Sequence, residues 1–354
     1  MELKSNIYDA PSQVDSTGVE GQIPFSGSLS KVRRLGATLP RFPSGWFAVG
    51  FSAELRAGQI LTRRFMNREV VIYRTRSGIV RAIEAHCPHL GAHFGYGGKV
   101  VGEELRCPFH GLGFSVSGSC VYSPQGPPPP AARLQIIESR EVCGAIMLWH
   151  GPAGAEPWEL REPESPYSWG QIRYGAIPSS APTQEMVENF VDYAHFLTVH
   201  RIPSTNLMQP ISFSGHTAQG RIEFVRPLPF KGGIRIQMDI RAQGLGFVVV
   251  NYEIGGVPFR LLALNTPASD VETMAYVGSA VAKVAANTRA KLSRKLVAPL
   301  LGRLIHQQTM VGIREDKVIW DHRKYLSRPA IAAGDGPIAE YRAWASQFYP
   351  ETAD

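Results

Sequence analysis

The sequence predicts an α+β protein, with an all-β first domain followed by a second domain of antiparallel strands and helices. Two observations carry this. Before residue 160, short alternating apolar runs recur between Gly, Ser and Pro turns. After residue 180, longer alternating runs are flanked by segments of helical pattern. Strands grouped apart from helices indicate an antiparallel sheet with helices to one side.

The elements follow in order. Residues 1–38 are rich in Ser, Gly and Gln and lack periodicity, so a flexible N-terminal arm is expected. In the first domain, 39–160, WFAVGF, REVVIYRT and GIVRAIEAHC read as strands and GFSVSGSCVY as a hairpin. Pro127 to Pro130 form a stiff connector, and LQIIESREVCGAIMLWHG returns to strand pattern. In the second domain, 161–354, Gln184 to His200 reads as one helix. Phe213 to Val281 alternates as several strands, including IRIQMDIRAQ, FVVVNYEI and MAYVGSAV. Ala285 to Tyr325 is helical, with a last helix at Ile338 to Phe348.

A chain of 354 residues with 44% hydrophobic and 19% charged residues suits two globular domains. Net charge is +7, but the basic residues are scattered, so no nucleic-acid partner is expected. The N-terminus MELKSNIYDA lacks a basic-then-apolar leader. No run is apolar enough for a membrane span, and KLVAPLLGRLI reads as a core or interfacial helix. Four cysteines are too few for a disulfide scaffold and point to the reducing cytoplasm.

Cys87-Pro88-His89 and Cys107-Pro108-Phe109-His110 are two short loops of one design, with 17 residues between His89 and Cys107. Two thiolates and two imidazoles are the ligand set of a Rieske 2Fe-2S centre, the Cys pair on one iron and the His pair on the other. Gly91, Gly95, Gly97, Gly98, Gly111 and Gly113 let backbone N–H groups approach sulfide. Two Cys and two His also suit tetrahedral zinc, but zinc fingers space their first pair by about two to four residues. Here one residue intervenes, and Cys-Pro is repeated. His86 and His93 are read as neighbours rather than ligands. Arg63, Arg64, Arg68, Arg74, Arg76, Arg81 and Lys99 surround the motif, so an acidic electron donor is a candidate partner. A solvated surface fits them as well.

The second constellation runs from Glu188 to His200. His195 and His200 are five apart, about 140° around an ideal helix. They share a face only if the helix bends or ends there. Asp192, three before His195, does share its face. Two imidazoles and a carboxylate form the facial triad of non-heme Fe(II) oxygenases, with positions left open for oxygen. Glu315, Asp316 and Asp321 can supply the carboxylate, and Asp316 is the choice carried forward.

With both motifs in one chain, the sequence resembles a Rieske non-heme iron oxygenase, the terminal component of a multicomponent hydroxylase. The resemblance spans roughly residues 40 to 350, through Cys-x-His with Cys-x-x-His and through Glu-Asn-x-x-Asp-x-x-His-x4-His. It implies that Cys87, His89, Cys107 and His110 hold the 2Fe-2S cluster. It implies that His195, His200 and Asp316 hold a mononuclear Fe(II). Asp192 would bridge a catalytic-iron His and a cluster His, and Asn189 would lie near the iron. The implied fold is a Rieske domain beside a helix-grip catalytic domain, in a head-to-tail homotrimer. O2 and NAD(P)H would be cosubstrates, the latter through a reductase or ferredoxin.

The stretch from Ile319-Trp320 to Gln347-Phe348-Tyr349 resembles the subgroup of steroid ring hydroxylases, cholesterol desaturases and aminopyrrolnitrin oxygenase. Many relatives carry Trp where this chain has Leu112. The expected activity is hydroxylation of a bulky hydrophobic substrate, such as a steroid, terpenoid or polycyclic compound. Arylamine N-oxygenation or O-demethylation by the same iron is the alternative within the class. An electron-transfer Rieske protein without oxygenase activity is the alternative outside it.

Overall fold

The computed structural model describes residues 39–202, 205–227, 233–254, 256–283 and 291–349. The N-terminal arm, 1–38, lies outside the described residues.

The first half is all β. Strands β1 (Gly45–Phe51), β2 (Ile60–Phe65), β3 (Arg68–Arg74) and β4 (Val80–Glu84) precede the first metal loop. Strands β5 (Lys99–Val101), β6 (Glu104–Arg106), β7 (Gly113–Phe114) and β8 (Cys120–Tyr122) form a small four-stranded sheet in that order. Strands β9 (Ile136–Ile137), β10 (Ser139–Val142) and β11 (Ala145–His150) close the half, in sheets ordered β2-β3-β4-β9 and β1-β11-β10.

Strands β1 and β11 are nearly continuous apolar runs, and β3 carries an apolar stretch at 70–73, because these residues are buried on both faces. Side chains alternate across a strand, so neighbours enter different cores. Val71 and Tyr73 of β3 pack with Cys87, Phe94, Cys107 and Phe114, whereas Val70 and Ile72 pack with Phe47, Phe65 and Leu148. The same division on β1 sends Phe47 and Val49 inward and turns Trp46 and Ala48 toward Phe247, Val249 and Leu262 of the second half. The two halves therefore share a core across the face of β1 and β11.

The second half follows with β12 (Arg173–Ser179), α1 (Thr183–Glu188) and α2 (Ala194–Thr198). Then come β13 (Thr205–Ser214), β14 (Thr217–Pro227), β15 (Gly233–Gln243), β16 (Phe247–Ile254), β17 (Val257–Ser269) and β18 (Glu272–Val281). The chain ends in α3 (Lys291–Trp320), α4 (Ile338–Ala345) and a 3-10 turn at Ser346–Phe348. The seven strands make one antiparallel sheet, ordered β12-β18-β17-β16-β15-β14-β13. Tyr341, Trp344 and Phe348 pack on the sheet through Ile222, Ile240 and Val248, with Val187 and Val191 from the α1 region.

The expected single helix from Gln184 to His200 is two short helices, α1 and α2, with a turn at 189–193. One distant and one local side-chain bond hold the chain out of the helix there. Asn189 Oδ1 accepts from Trp320 Nε1 at 3.1 Å, and Asp192 Oδ1 accepts from the His195 backbone N–H at 3.3 Å.

Helix α1 is fixed by charge. Arg323 donates to Glu185 at 2.8 Å and to Glu188 at 2.9 Å, while Arg342 donates to Glu188 at 2.6 Å. Glu188 is 6% exposed, Arg342 16% and Arg323 23%, so removing the carboxylate takes the ion-pair partner from Arg342 in a poorly solvated place and leaves Arg323 with Glu185 alone. Glu188→Ala is expected to cost about 3–5 kcal/mol, read as a lower urea midpoint with the slope unchanged.

Candidate metal centres

The two Cys loops fold alike. Cys87 N–H donates to Ala92 O at 2.8 Å and Gly91 N–H to Cys87 O at 2.9 Å. Cys107 N–H donates to Leu112 O at 2.8 Å and Gly111 N–H to Cys107 O at 3.2 Å. Each loop thus returns to its strand through a Gly four residues after the Cys. Gly91 (φ +76°) and Gly111 (φ +69°) occupy the left-handed region that a side chain disfavours. Both loops therefore read Cys-x3-Gly, although His stands at the second position after Cys87 and the third after Cys107.

The loops bring the four predicted cluster ligands together. Cys87 and Cys107 are buried free thiols, and the His89 and His110 rings lie 4.8 Å apart, edge to face. Burial pushes the Cys87 thiol up to about 11, and the neighbouring Cys107 adds to the effect. Two thiols held this close in an apolar pocket have little to stabilise thiolate except a metal, which fits the group this ligand set implies. Leu112 is buried in the same core. His86 and His93 stack edge to face at 5.0 Å, and His93 Nδ1 accepts from Gly95 N–H at 2.9 Å.

Much of the basic charge around these loops is locally paired. Arg63 meets Glu54, Arg68 meets Glu84, Arg74 meets Glu141 and Arg106 meets Glu104. Cys120 and Cys143 are free thiols.

The second centre lies where α2 ends beside α3. Since α2 stops at Thr198, His200 does not continue the helical path, and Arg201 adopts a left-handed φ of +56°. The 140° offset is thereby removed, and the His195 and His200 rings come to 5.2 Å. Asp316, buried on α3, faces both: its Oδ1 lies 3.2 Å from His200 Nε2 and 4.0 Å from His195 Nε2. The three ligand atoms lie within 4.8 Å of one another.

Asp316 Oδ1 is buried and accepts no hydrogen bond despite these neighbours. A buried carboxylate oxygen without a donor is costly, and a cation between the three groups removes that cost. Burial lowers the pKa of His195, favouring the neutral ring a metal requires. For His200 burial acts in the same sense, but Asp316 and then Glu315 outweigh it and raise its pKa. These residues therefore fit a mononuclear metal.

The other carboxylates stand elsewhere. Asp321 accepts from Ser179 Oγ at 2.7 Å and from Ser180 N–H at 2.9 Å, and pairs with Lys317. Glu315 reaches His200 from the side opposite Asp316. Asp192 lies beside His195, whose Nδ1 is 2.5 Å from the Asp192 backbone O and 4.0 Å from its carboxylate. Asn189 is tied to Trp320. The arrangement can hold one metal on one side and leave its other side open.

Comparison with known proteins identifies both domains. A family model described as Rieske [2Fe-2S] domain matches residues 45–138, and one described as 3-Ketosteroid 9alpha-hydroxylase C-terminal domain matches residues 148–349. Cholesterol 7-desaturase of Bombyx mori is 28% identical over 334 residues, covering 90% of this chain and 72% of its own. A probable 3-ketosteroid-9-alpha-monooxygenase oxygenase component of Rhodococcus rhodochrous is 25% identical, covering 90% and 83%. A crystal structure of dicamba monooxygenase bound to dicamba shares the fold, with a TM-score of 0.67 at 20% identity over 87% of this chain and 98% of that one.

Among the described residues, no helix is long and apolar enough to cross a membrane. The cofactors of this class are a 2Fe-2S cluster and a mononuclear non-heme iron, and an oxygenase component implies a reductase or ferredoxin partner. With a Rieske domain ahead of a matched catalytic domain that fills more than half its length, the chain belongs to the 3-ketosteroid 9alpha-hydroxylase C-terminal domain family and is a Rieske non-heme iron oxygenase.

Proposed function

We propose that this oxygenase is a monooxygenase component that hydroxylates a bulky apolar substrate of steroid, terpenoid or polycyclic type. The convergence of His195, His200 and Asp316 in a chain that also carries the paired Cys-His loops supports this reading most directly. Cys87, Cys107, His89 and His110 would hold the cluster, and His195, His200 and Asp316 the mononuclear iron. When bound, these groups supply single-electron transfer and dioxygen activation, by which one oxygen atom enters substrate and the other leaves as water with the two electrons of NAD(P)H.

The chain's own residues set the conditions. Asp316 and the two imidazoles occupy one side of the centre and leave room for substrate. Phe196 stacks beside His195 at 4.3 Å and faces Phe224 at 6.5 Å, an apolar wall next to the triad. Leu197, Leu207 and Met208 add exposed apolar surface on α2 and β13. An apolar wall beside the triad favours a hydrophobic ligand over a charged one. The related steroid-modifying proteins point the same way.

The assembly would be a head-to-tail homotrimer in the cytoplasm. Leu90 (65% exposed) and Phe109 (62%) flank His89 and His110, so the cluster edge presents apolar surface suited to another chain. Asp192 would act across that boundary. Four free thiols suit a reducing compartment. Light scattering is expected to give three copies, and a monomer with full turnover would remove the cross-subunit arrangement.

Anaerobic protein is expected to carry about three irons per chain, two in the cluster and one in the triad, with an anisotropic Rieske EPR signal on reduction. Oxygen uptake with a surrogate reductase should then match hydroxylated product on a panel of steroids, terpenoids, arylamines and aryl methyl ethers. Turnover confined to arylamines or ethers would shift the reading to N-oxygenation or O-demethylation. About two irons and no uptake would leave only an electron carrier.

A further inference from the structure

We propose that Glu315 is a positioning residue for the mononuclear centre, gripping the His200 ring from the side away from the metal. This rests on the reading of His195, His200 and Asp316 as the metal site. Consecutive residues of α3 meet the two nitrogens of one imidazole: Asp316 Oδ1 is 3.2 Å from Nε2, and Glu315 Oε2 is 3.2 Å from Nδ1. An acceptor at Nδ1 fixes that nitrogen as the N–H donor, so Nε2 offers its lone pair toward Asp316 and His195. The other carboxylate oxygen of Glu315 accepts from Arg201 at 3.0 Å, which holds the acid in line.

His195 is supported differently. Its Nδ1 lies 2.5 Å from the backbone O of Asp192, an acceptor that no side-chain substitution removes. His200 has left the helix, follows no regular element and precedes a residue with φ +56°. Its ring orientation therefore depends on side chains, and Glu315 is the one at Nδ1. The geometry assigns Glu315 to holding His200 ready for metal, apart from any ligand role of its own, because its oxygens are engaged by Nδ1 and Arg201.

The test uses the full-length chain with its cluster intact and oxidised, stripped of mononuclear metal and titrated with Co(II) against a competing chelator. Glu315→Ala is expected to lose about 10–100-fold in Co(II) affinity, with an altered Co(II) EPR signal and an unchanged cluster spectrum. Glu315→Gln keeps an acceptor oxygen and should recover at least half of that loss on a logarithmic scale. Wild-type affinity in Glu315→Ala overturns the proposal, as does a Glu315→Gln variant as weak as Glu315→Ala. Asp316→Ala run in parallel separates the premises: if it binds Co(II) as wild type does, the triad itself is misassigned. If it alone loses the metal, the triad stands and the role given to Glu315 falls.

Discussion

Asp316→Ala is expected to abolish turnover and leave about two irons per chain, those of the cluster, instead of three. Asp316 supplies the only carboxylate oxygen among the three mutually close ligand atoms, and that oxygen has no hydrogen-bond donor among the described residues. Removing it leaves two imidazoles, a weaker and uncharged set for a divalent ion. The cluster loops lie in another core, so the visible spectrum of the cluster should persist. Asp321→Ala is the control. Asp321 is occupied by Ser179, Ser180 and Lys317, so its loss should leave the third iron in place. Iron retained in Asp316→Ala but lost in Asp321→Ala would reverse the assignment.

Asp192→Asn should keep all three irons and slow electron transfer between the centres by at least about 10–100-fold, the range for losing a partner of a metal-bound His. Asn matches Asp in size and can still accept the His195 backbone N–H, so the turn before α2 should survive. What disappears is the charge. The Asp192 carboxylate is 30% exposed and lies 4.0 Å from His195 Nδ1, whose nearer partner is the backbone O. An edge of the acid is thus left for a second contact, as a bridge to a cluster His requires. Stopped-flow reoxidation of the reduced cluster, with substrate and oxygen present, reads the step directly. Normal turnover in this variant would exclude the bridge.

Both candidate centres could be located in the sequence because metal ligands come as fixed residue types at short spacings. Cys87 to His89, Cys107 to His110 and His195 to His200 are local patterns. Asp316 was harder, since any of three carboxylates satisfied the chemistry and only the packing of α3 against α2 separates them. The break between α1 and α2 was hidden because the bond that stabilises it joins Asn189 to Trp320, 131 positions away. The Glu185, Glu188, Arg323 and Arg342 network was hidden for the same reason. Strand β2 is not legible in the sequence because Arg63 and Arg64 look like loop residues. Arg63 instead donates to Val49 O at 3.0 Å while its strand pairs with β3.

The double-sided burial of β1 and β11 has a practical outcome. A chain cut at residue 160 would leave Trp46, Ala48, Phe51, Ala145 and Met147 without Phe247, Val249, Leu262 and Leu264 to cover them. A fragment of that kind would tend to aggregate rather than serve as a small ferredoxin. Anyone wishing to borrow this redox module for another enzyme would first need to repaint that surface with polar side chains.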